Sequence, residues 1–367
     1  MMKSAISALM LATVCLLALG VVMMASIQGH LASTGYNIPG TETGLVRTQM
    51  IWIGLGLVLM GAVARVDYRR WRPLATRFAG VVFMLLVLAL IPGMGPSCYG
   101  ARRWLYLGPW GSIQPSFLAG LAVVLFMAWW YSAEKPRSPN LFWVPVAVMF
   151  GLAALVFVEP DFPIAVLVLL TGWAMMILGK ARFDHIFISI VLTVTGVAWG
   201  LLRDPFNGCR LMAFFKRYPE ETARLPVFVM ALMAGGWTGS GLGNGHWTGC
   251  FLPEAFSGLV TAAIGEELGL AALLIMMGLF AVMVVSGAYI AAKAPDRFGT
   301  LLGAGMVTLL IIPVLLNWVS VTWLFPMKAV LLPLVSHGGL ANCATLTGVG
   351  VLLSIARTKT GESNEPQ

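Results

Sequence analysis

Two adjacent acids interrupt an apolar stretch of this sequence. The stretch is LPEAFSGLVTAAIGEELG, residues 252–269, with Glu266 and Glu267 near its end and Glu254 beside a proline that suits the first turn of a helix. A carboxylate inside an apolar membrane helix is costly, so such acids usually face a polar cavity or a cation. A salt bridge within a helix bundle would also satisfy them. We favour a cavity that opens to the outer face of a membrane.

A pair of arginines lies in a second stretch, GARRWLYLGPWGSIQPS, residues 100–116, where Arg102 and Arg103 precede Trp104. Arginines beside aromatic residues are typical of anchors at the membrane–water interface. Arginine also binds phosphate through two parallel hydrogen bonds, so the pair could instead hold the head group of a diphosphate lipid. Both interpretations stay open on these residues alone.

Three further stretches carry polar groups. VEPDF, residues 158–162, places Glu159 and Asp161 in a short turn, for which a solvated turn shaped by proline is the simpler interpretation. AGGWTGSGLGNGHWTG, residues 234–249, lacks the strand and helix of a dinucleotide loop; its glycines allow either close approach of the backbone to a ligand or a mobile loop. LPLVSHGG contains Ser336 next to His337, but adjacent residues seldom form a catalytic triad.

The composition determines the class of protein that must position these residues. Of the 367 residues, 59% are hydrophobic and 10% are charged, and the mean hydropathy is +0.88. A soluble domain carries about 25% charged residues. Runs of about 20 apolar residues cross a membrane as helices, which satisfy every backbone group internally. The net charge of +8 comes largely from basic residues in short loops, so it reports membrane topology and not a nucleic-acid partner.

Ten apolar segments predict an all-α integral membrane protein with about ten transmembrane helices. The segments cover roughly residues 5–26, 48–64, 78–92, 117–132, 141–158, 162–179, 185–202, 257–290, 300–324 and 338–356. The distribution of Lys and Arg places both termini in the cytoplasm and leaves large extracytoplasmic loops at 93–116 and 203–256. A single membrane domain, 1–357, would then be followed by a disordered cytoplasmic tail, 358–367.

The five cysteines show no CxxC spacing, so neither a zinc site nor a disulfide framework is implied. Pairing among Cys98, Cys209 and Cys250 stays open. We expect no cofactor and no dedicated metal site, and the sequence leaves a role for a divalent cation undecided.

In this order, the stretches resemble the SEDS family, the FtsW/RodA/SpoVE proteins of bacterial cell-wall synthesis, over nearly the whole chain. GARRWLYLG followed by QPS, Gln114 to Ser116, is similar to the first outside loop of the family, and EPDF is similar to its Gln-Pro-Asp turn. GGWTGSGLGNG resembles its glycine loop, LPEA…IGEELG its signature helix and LPLVSHGG its last loop.

The resemblance implies an integral membrane glycosyltransferase of the bacterial cytoplasmic (inner) membrane. Such proteins polymerise lipid II, an undecaprenyl-diphosphate-linked disaccharide peptide, into glycan strands. Their usual partner is a class B penicillin-binding protein, which acts as the transpeptidase, and membrane lipids surround the protein. The candidate substrate-binding residues are Arg102, Arg103, Trp104, Gln114, Asp161, Glu266, Glu267, Ser336 and His337.

Several positions depart from the family pattern. After QPS the family usually has Glu-Leu-Ala-Lys, and its acid and lysine fall on Phe117 and Gly120 here. Before LPEA a basic residue is usual, where this chain has Thr248. The PEAHTD of the family becomes PEAFSG, so that Gly258 occupies the position of its catalytic aspartate, and the tyrosine of its last loop becomes His337.

The lost aspartate bears on the chemistry. An acceptor sugar hydroxyl must lose a proton as it attacks the anomeric carbon, and a positioned base is worth on the order of 10²–10⁴-fold. Glu254, four residues before Gly258 and so on the same face of a helix, is the candidate substitute. Three hypotheses follow: a polymerase with a displaced base, a silent relative that binds lipid-linked precursor or scaffolds a transpeptidase, and a transporter of that precursor.

Overall fold

The structure of the chain is a computed structural model. It describes residues 1–34, 44–95, 97–98, 101–106, 112–133, 141, 143–203, 224–247, 258–322, 324 and 330–362. Twelve α-helices lie within these ranges. They are α1 Met2–Thr34, α2 Leu45–Arg65, α3 Ala75–Leu90, α4 Ser116–Tyr131, α5 Trp143–Val158, α6 Phe162–Leu178, α7 Phe183–Arg203, α8 Arg224–Gly235, α9 Val260–Glu267, α10 Gly269–Ala292, α11 Arg297–Val321 and α12 Gly339–Glu362. A 3-10 helix, Tyr68–Leu74, precedes α3.

Six helices of the described chain are long and apolar enough to cross a membrane: Met2–His30 within α1, α2, the Tyr68–Leu90 stretch ending in α3, α10, α11, and Gly339–Thr358 within α12. Shorter apolar helices are α4, α5, α6 and Phe183–Gly196 within α7. Each of the ten predicted apolar segments coincides with helix. The protein is therefore a helical, multi-pass membrane protein.

Small residues let the helices approach closely. A Cβ added at Gly350 of α12 would lie 2.7 Å from the carbonyl oxygen of Met60 in α2, so only glycine fits at this crossing. α4 occupies the centre, since every residue from Ala119 to Ala128 is buried. The apolar side chains of α2 and α3 are exposed on one face, such as Val58 and Met84 at 69% and 59%, as expected for lipid-facing helices.

Two short antiparallel hairpins, a departure from a purely helical fold, occupy the predicted 93–116 loop. β1, Ser97–Cys98, pairs with β2, Ala101–Arg102, and β3, Leu105–Tyr106, pairs with β4, Ser112–Ile113. The end of the helix bundle that carries them is called the hairpin end below.

The predicted single helix over 257–290 is wrong. The chain there forms two helices, α9 and α10, which are separated at Leu268. Gly269 has φ +78°, a left-handed conformation that ends a helix and that glycine adopts without steric cost. The predicted start at Pro253 lies outside the described residues.

Two other boundaries differ from the prediction. α8 lies within the segment 203–256, for which the sequence predicts a loop. The helix was missed because its apolar run is too short for a membrane span. α12 continues to Glu362, past the predicted start of the tail at residue 358, because polar residues can extend a helix beyond the membrane into water. The remainder of the tail, 363–367, lies outside the described residues.

Candidate functional site

The turn between α5 and α6, residues 159–161, is held by side chains from the region of the hairpins and the start of α4. Arg103 donates from Nε to the carbonyl oxygen of Glu159 (2.8 Å) and from Nη2 to that of Pro160. Its Nη1 lies 3.7 Å from Asp161 Oδ2. Gln114 donates from Nε2 to the same carboxylate oxygen (2.6 Å) and to Ser116 Oγ (2.9 Å). These contacts tie three separate stretches of the sequence together.

The two acids of this turn are buried, so the interpretation of a solvated turn is wrong. Glu159 is 0% exposed and Asp161 is 6% exposed. Neither side-chain oxygen of Glu159 has a hydrogen-bond partner in the described part of the chain. Burial, reinforced by the negative charge of Asp161 and partly offset by Arg103, raises the pKa of Glu159 to about 8. At neutral pH this carboxyl is mainly protonated.

The glycine loop, residues 236–245, packs against the backbone at the helix break. Ser240 N donates to the carbonyl of Glu266 and Gly241 N to that of Glu267 (each 2.9 Å), while Leu270 N donates to Gly236 O (2.9 Å). These bonds satisfy backbone groups that the break would otherwise leave unpaired in an apolar environment.

Glycine is required for this backbone contact. A Cβ added at Gly235, next to the loop, would lie 1.9 Å from the carbonyl oxygen of Gly265, and one at Gly239 would lie 2.2 Å from that of Glu267. The sequence offered two interpretations of these glycines, and the structure supports the one in which they allow a close backbone approach. The loop, however, packs against another part of the protein's own backbone and not against a ligand.

Glu266 and Glu267 lie at the end of α9 beneath this loop, with 1% and 0% exposure. Glu266 Oε1 accepts from Trp247 N (2.8 Å). Glu267 Oε2 accepts from Ser26 Oγ of α1 and from Gly243 N (3.3 Å), and its Oε1 lies 3.4 Å from His30 Nε2. In the described residues these carboxylates bind the loop and α1, which corrects the expectation that they line an open cavity.

Gly258 lies just before α9 and is buried. Its carbonyl oxygen accepts from Asn317 Nδ2 of α11 (2.7 Å), which also donates to Val330 O (2.6 Å). Thr261, on the first turn of α9, is 2.6 Å from Asn317 Oδ1. The position that the motif resemblance assigns to the family aspartate is thus fixed through its backbone and carries no side chain.

Several hydrogen bonds hold the backbone of the segment 330–338 before α12. Ser336 Oγ accepts from Leu332 N (2.8 Å), and Asn342 bridges the segment by accepting from Leu334 N (3.0 Å) and donating to Ser336 O (3.1 Å). Leu334 is held at φ +66°, a strained conformation for a leucine. Burial lowers the pKa of His337. The Ser336 hydroxyl therefore serves the turn, in agreement with the rejection of a nucleophilic triad.

A groove runs among α4, α6, α11, α12 and the segment 330–338, and the space between its walls, including the part open to solvent, is about 720 Å³. Its lining is mainly apolar, with Ser116, Ser336, Asn342 and Thr345 as polar members. Phe117 and Gly120, where the family usually carries an acid and a lysine, both line it. A Cβ added at Gly120 would lie 2.7 Å from Leu309 Cδ2, so any side chain at this position would require Leu309 to move. An apolar lining of this kind suits an apolar ligand.

The predicted site residues form two clusters, and the others lie at separate positions. Gln114, Asp161 and Arg103 meet at the α5–α6 turn, and Ser116 joins that cluster to the groove. Glu266 and Glu267 form a separate cluster under the glycine loop. Trp104 is half-buried and Arg102 lies in β2 opposite Ser97, while Glu254 lies outside the described residues.

Sequence reasoning missed Asn317, Asn342, Ser26 and His30, all of which bond to a predicted site or its walls. The available signal was a polar residue inside an apolar segment, as for Asn317 in LLNWVS. Among the described residues, no group of three or more His, Cys, Asp or Glu side chains could hold a metal ion.

The fold and these clusters define a multi-pass membrane protein with an apolar groove beside a polar cluster at the hairpin end. The family model for cell cycle proteins of the FtsW, RodA and SpoVE type matches residues 7–361. The chain belongs to this family, which confirms the resemblance drawn from its motifs.

Individual relatives agree over nearly the full length. The probable peptidoglycan glycosyltransferase FtsW of Geobacter metallireducens is 31% identical over 361 residues, covering 96% of this chain and 95% of that protein. Stage V sporulation protein E of Bacillus subtilis is 29% identical over 356 residues, covering 95% and 96%.

Two solved structures share the fold. A chain of a peptidoglycan synthase complex, reported for the coordination of polymerization and crosslinking, superposes with a TM-score of 0.77 at 22% identity, covering 96% of this chain and 97% of that one. The rod shape determining protein RodA of Thermus thermophilus gives 0.67 at 23% identity, covering 95% of each.

Proposed function

We propose that this protein acts in peptidoglycan synthesis by binding lipid II at the outer face of the bacterial cytoplasmic membrane and adding its disaccharide to glycan strands. The observation that carries the proposal is the apolar groove that meets the polar Ser116–Gln114–Asp161 cluster. A lipid-linked diphosphate has this same division between an apolar chain and a polar head. Family membership supports the assignment.

The proposed topology has ten crossings with both termini in the cytoplasm, and α9 and α10 share one crossing. The hairpin end then faces outward, the side on which the family polymerises lipid II. The basic residues of the 3-10 helix, including Arg69 and Arg70, lie at the opposite end, as the positive-inside rule requires for this orientation.

Recognition of the diphosphate is assigned to the mouth of the groove. Arg103 uses two nitrogens on backbone carbonyls of the α5–α6 turn, which favours a supporting role for it. Arg102 remains the candidate for direct contact, and we propose that the two arginines together provide the positive charge that offsets the leaving diphosphate.

We further propose that the polymerase activity of the isolated protein is weak. Gly258 offers no proton acceptor where the family has its aspartate, and the backbone carbonyl there is already engaged by Asn317. Glu254 is the proposed substitute base. A class B penicillin-binding protein is the proposed partner, which would crosslink the strands and support the site.

The second candidate is a relative without polymerase activity that binds the precursor or scaffolds the transpeptidase. The glycine at position 258 is the observation that favours it. A precursor transporter would use the same groove, and it would move lipid II across vesicles without forming polymer.

Purified protein assayed on lipid II, with and without the partner transpeptidase, tests these alternatives. Glycan strands that disappear in Glu254→Gln would support the displaced base. Binding of lipid II without strands would support the silent relative, and absence of binding would contradict the proposed function. Strands that persist undiminished in Glu254→Gln would contradict both the displaced base and the silent relative.

A further inference from the structure

Asn317 is a fully buried amide in the apolar helix α11, about one turn before its end. Its Nδ2 donates to the carbonyl oxygens of Gly258 (2.7 Å) and Val330 (2.6 Å), and its Oδ1 accepts from Thr261 Oγ1 (2.6 Å). A primary amide has two donor hydrogens, so both are used, each on a different segment of the chain.

The amide joins a segment that forms a wall of the groove to the segment at the start of α9. Val330 begins the segment 330–338, which forms one wall of the groove. Gly258 and Thr261 flank the start of α9, where the family has its aspartate. Since one nitrogen bonds both carbonyls, the backbone at residue 258 is held next to the wall of the groove.

We infer that Asn317 is a positioning residue, which keeps the Gly258 end of α9 in register with the groove wall at Val330. A lipid-linked diphosphate in the groove is then presented beside Gly258. The second statement rests on the proposed function, whereas the register between the two segments does not.

The side-chain chemistry makes this role specific to an amide. An ionised aspartate could accept from Thr261 but would face two carbonyl oxygens without a hydrogen to donate. Leucine has nearly the same size but would leave two carbonyls and one hydroxyl unbonded in an apolar environment, which is unfavourable for each unsatisfied group. Asn317→Leu should therefore release the start of α9 from the wall.

A cross-linking rate measures the register directly and needs no catalytic activity. On a cysteine-free background, Gly258→Cys is combined with Val330→Cys, and disulfide formation is followed in membranes under mild oxidation. We expect Asn317→Leu to slow cross-linking by at least about tenfold, because the loss of these hydrogen bonds is worth at least 1.4 kcal/mol. An unchanged rate would overturn the inference.

Tyr68→Phe is the matched control for general destabilisation. It removes the partly buried hydrogen bond from Tyr68 Oη to Asp296 at the end of the bundle opposite the hairpins. We expect its cross-linking rate between positions 258 and 330 to match that of the parent within about twofold. Equal slowing by Tyr68→Phe and Asn317→Leu would show that Asn317 contributes only to stability, and the inference would fail.

Undecaprenyl diphosphate is the probe for the second part of the inference, that a lipid-linked diphosphate in the groove is presented beside Gly258. Its binding to the protein with native Asn317 is measured first, and a failure to bind would contradict the proposed function while the cross-linking rates still decide the register. Where it binds, we expect it to slow cross-linking by at least about threefold, because the head group lies beside the two thiols. Binding without an effect on the rate would overturn the presentation of the ligand to Gly258.

Discussion

Glu159 is a carboxyl group that the fold keeps protonated at neutral pH. Its pKa is about 8 in the folded protein against 4.5 for the ordinary group. The folded state binds the proton more tightly, so the contribution to stability is fully present below pH 4.5 and is lost as the pH rises through about 8. We expect the Tm of the purified protein to fall over this interval, by a stability change on the order of 5 kcal/mol.

Glu159→Gln isolates this effect, because the amide has the same shape and does not ionise. We expect the variant to lose most of the pH dependence of Tm. Asp184→Asn, at an exposed acid paired with Arg182, is the control and should leave the dependence unchanged. A Glu159→Gln variant with the parental slope would contradict the assignment.

Gly258 permits a test of the missing base. Gly258→Asp should raise the polymerisation of lipid II only modestly, since an unpaired carboxylate is poorly stabilised in a partly dry site and Thr248 supplies no cation. Gly258→Asp with Thr248→Lys should exceed the product of the two single effects, a coupling that a double-mutant cycle measures. Gly258→Asn, which has the same size but no base, should give no gain. A gain from Asn equal to that from Asp would contradict a role in proton transfer.

At the scale of elements, the glycine loop and the helix break stabilise each other through the backbone. Gly239 combines φ +78° with a potential Cβ that would lie 2.2 Å from Glu267 O, whereas Gly243, at φ +76°, has nothing within 4 Å. Alanine in the left-handed region costs about 1–2 kcal/mol, and a backbone clash adds about 1–3 kcal/mol. We expect Gly239→Ala to lower Tm clearly more than Gly243→Ala. Equal losses would show that the loop does not pack against the break.

At the scale of the whole molecule, we predict its orientation in the membrane, with both termini in the cytoplasm. On a cysteine-free background, single cysteines at Arg70, near Arg72, and at Asp184, near Arg182, should be shielded from a membrane-impermeant thiol reagent in intact cells. A cysteine at Asn244, exposed beside Gly245, and one near Gly111 should react. Disrupted cells, in which all positions become accessible, provide the control. Reaction of the Arg70 position in intact cells would overturn the ten-crossing topology.

The amino-acid sequence by itself determined the membrane class, the positions of the apolar helices and the family. Hydrophobic length is a local property, so each predicted segment coincides with helix without knowledge of its neighbours. The motifs around Arg103, Gln114 and Asp161 likewise identified side chains that meet at the α5–α6 turn.

Only the tertiary structure decided what the polar residues contact. Glu267 is bonded by Ser26, 241 positions away, and Gly258 by Asn317, 59 positions away. Whether a carboxylate in an apolar segment lines a cavity or lies beneath a glycine loop depends on such distant partners. The same holds for the protonation of Glu159, since burial by the assembled fold, and not the identity of its neighbours in the chain, is the main cause of its raised pKa.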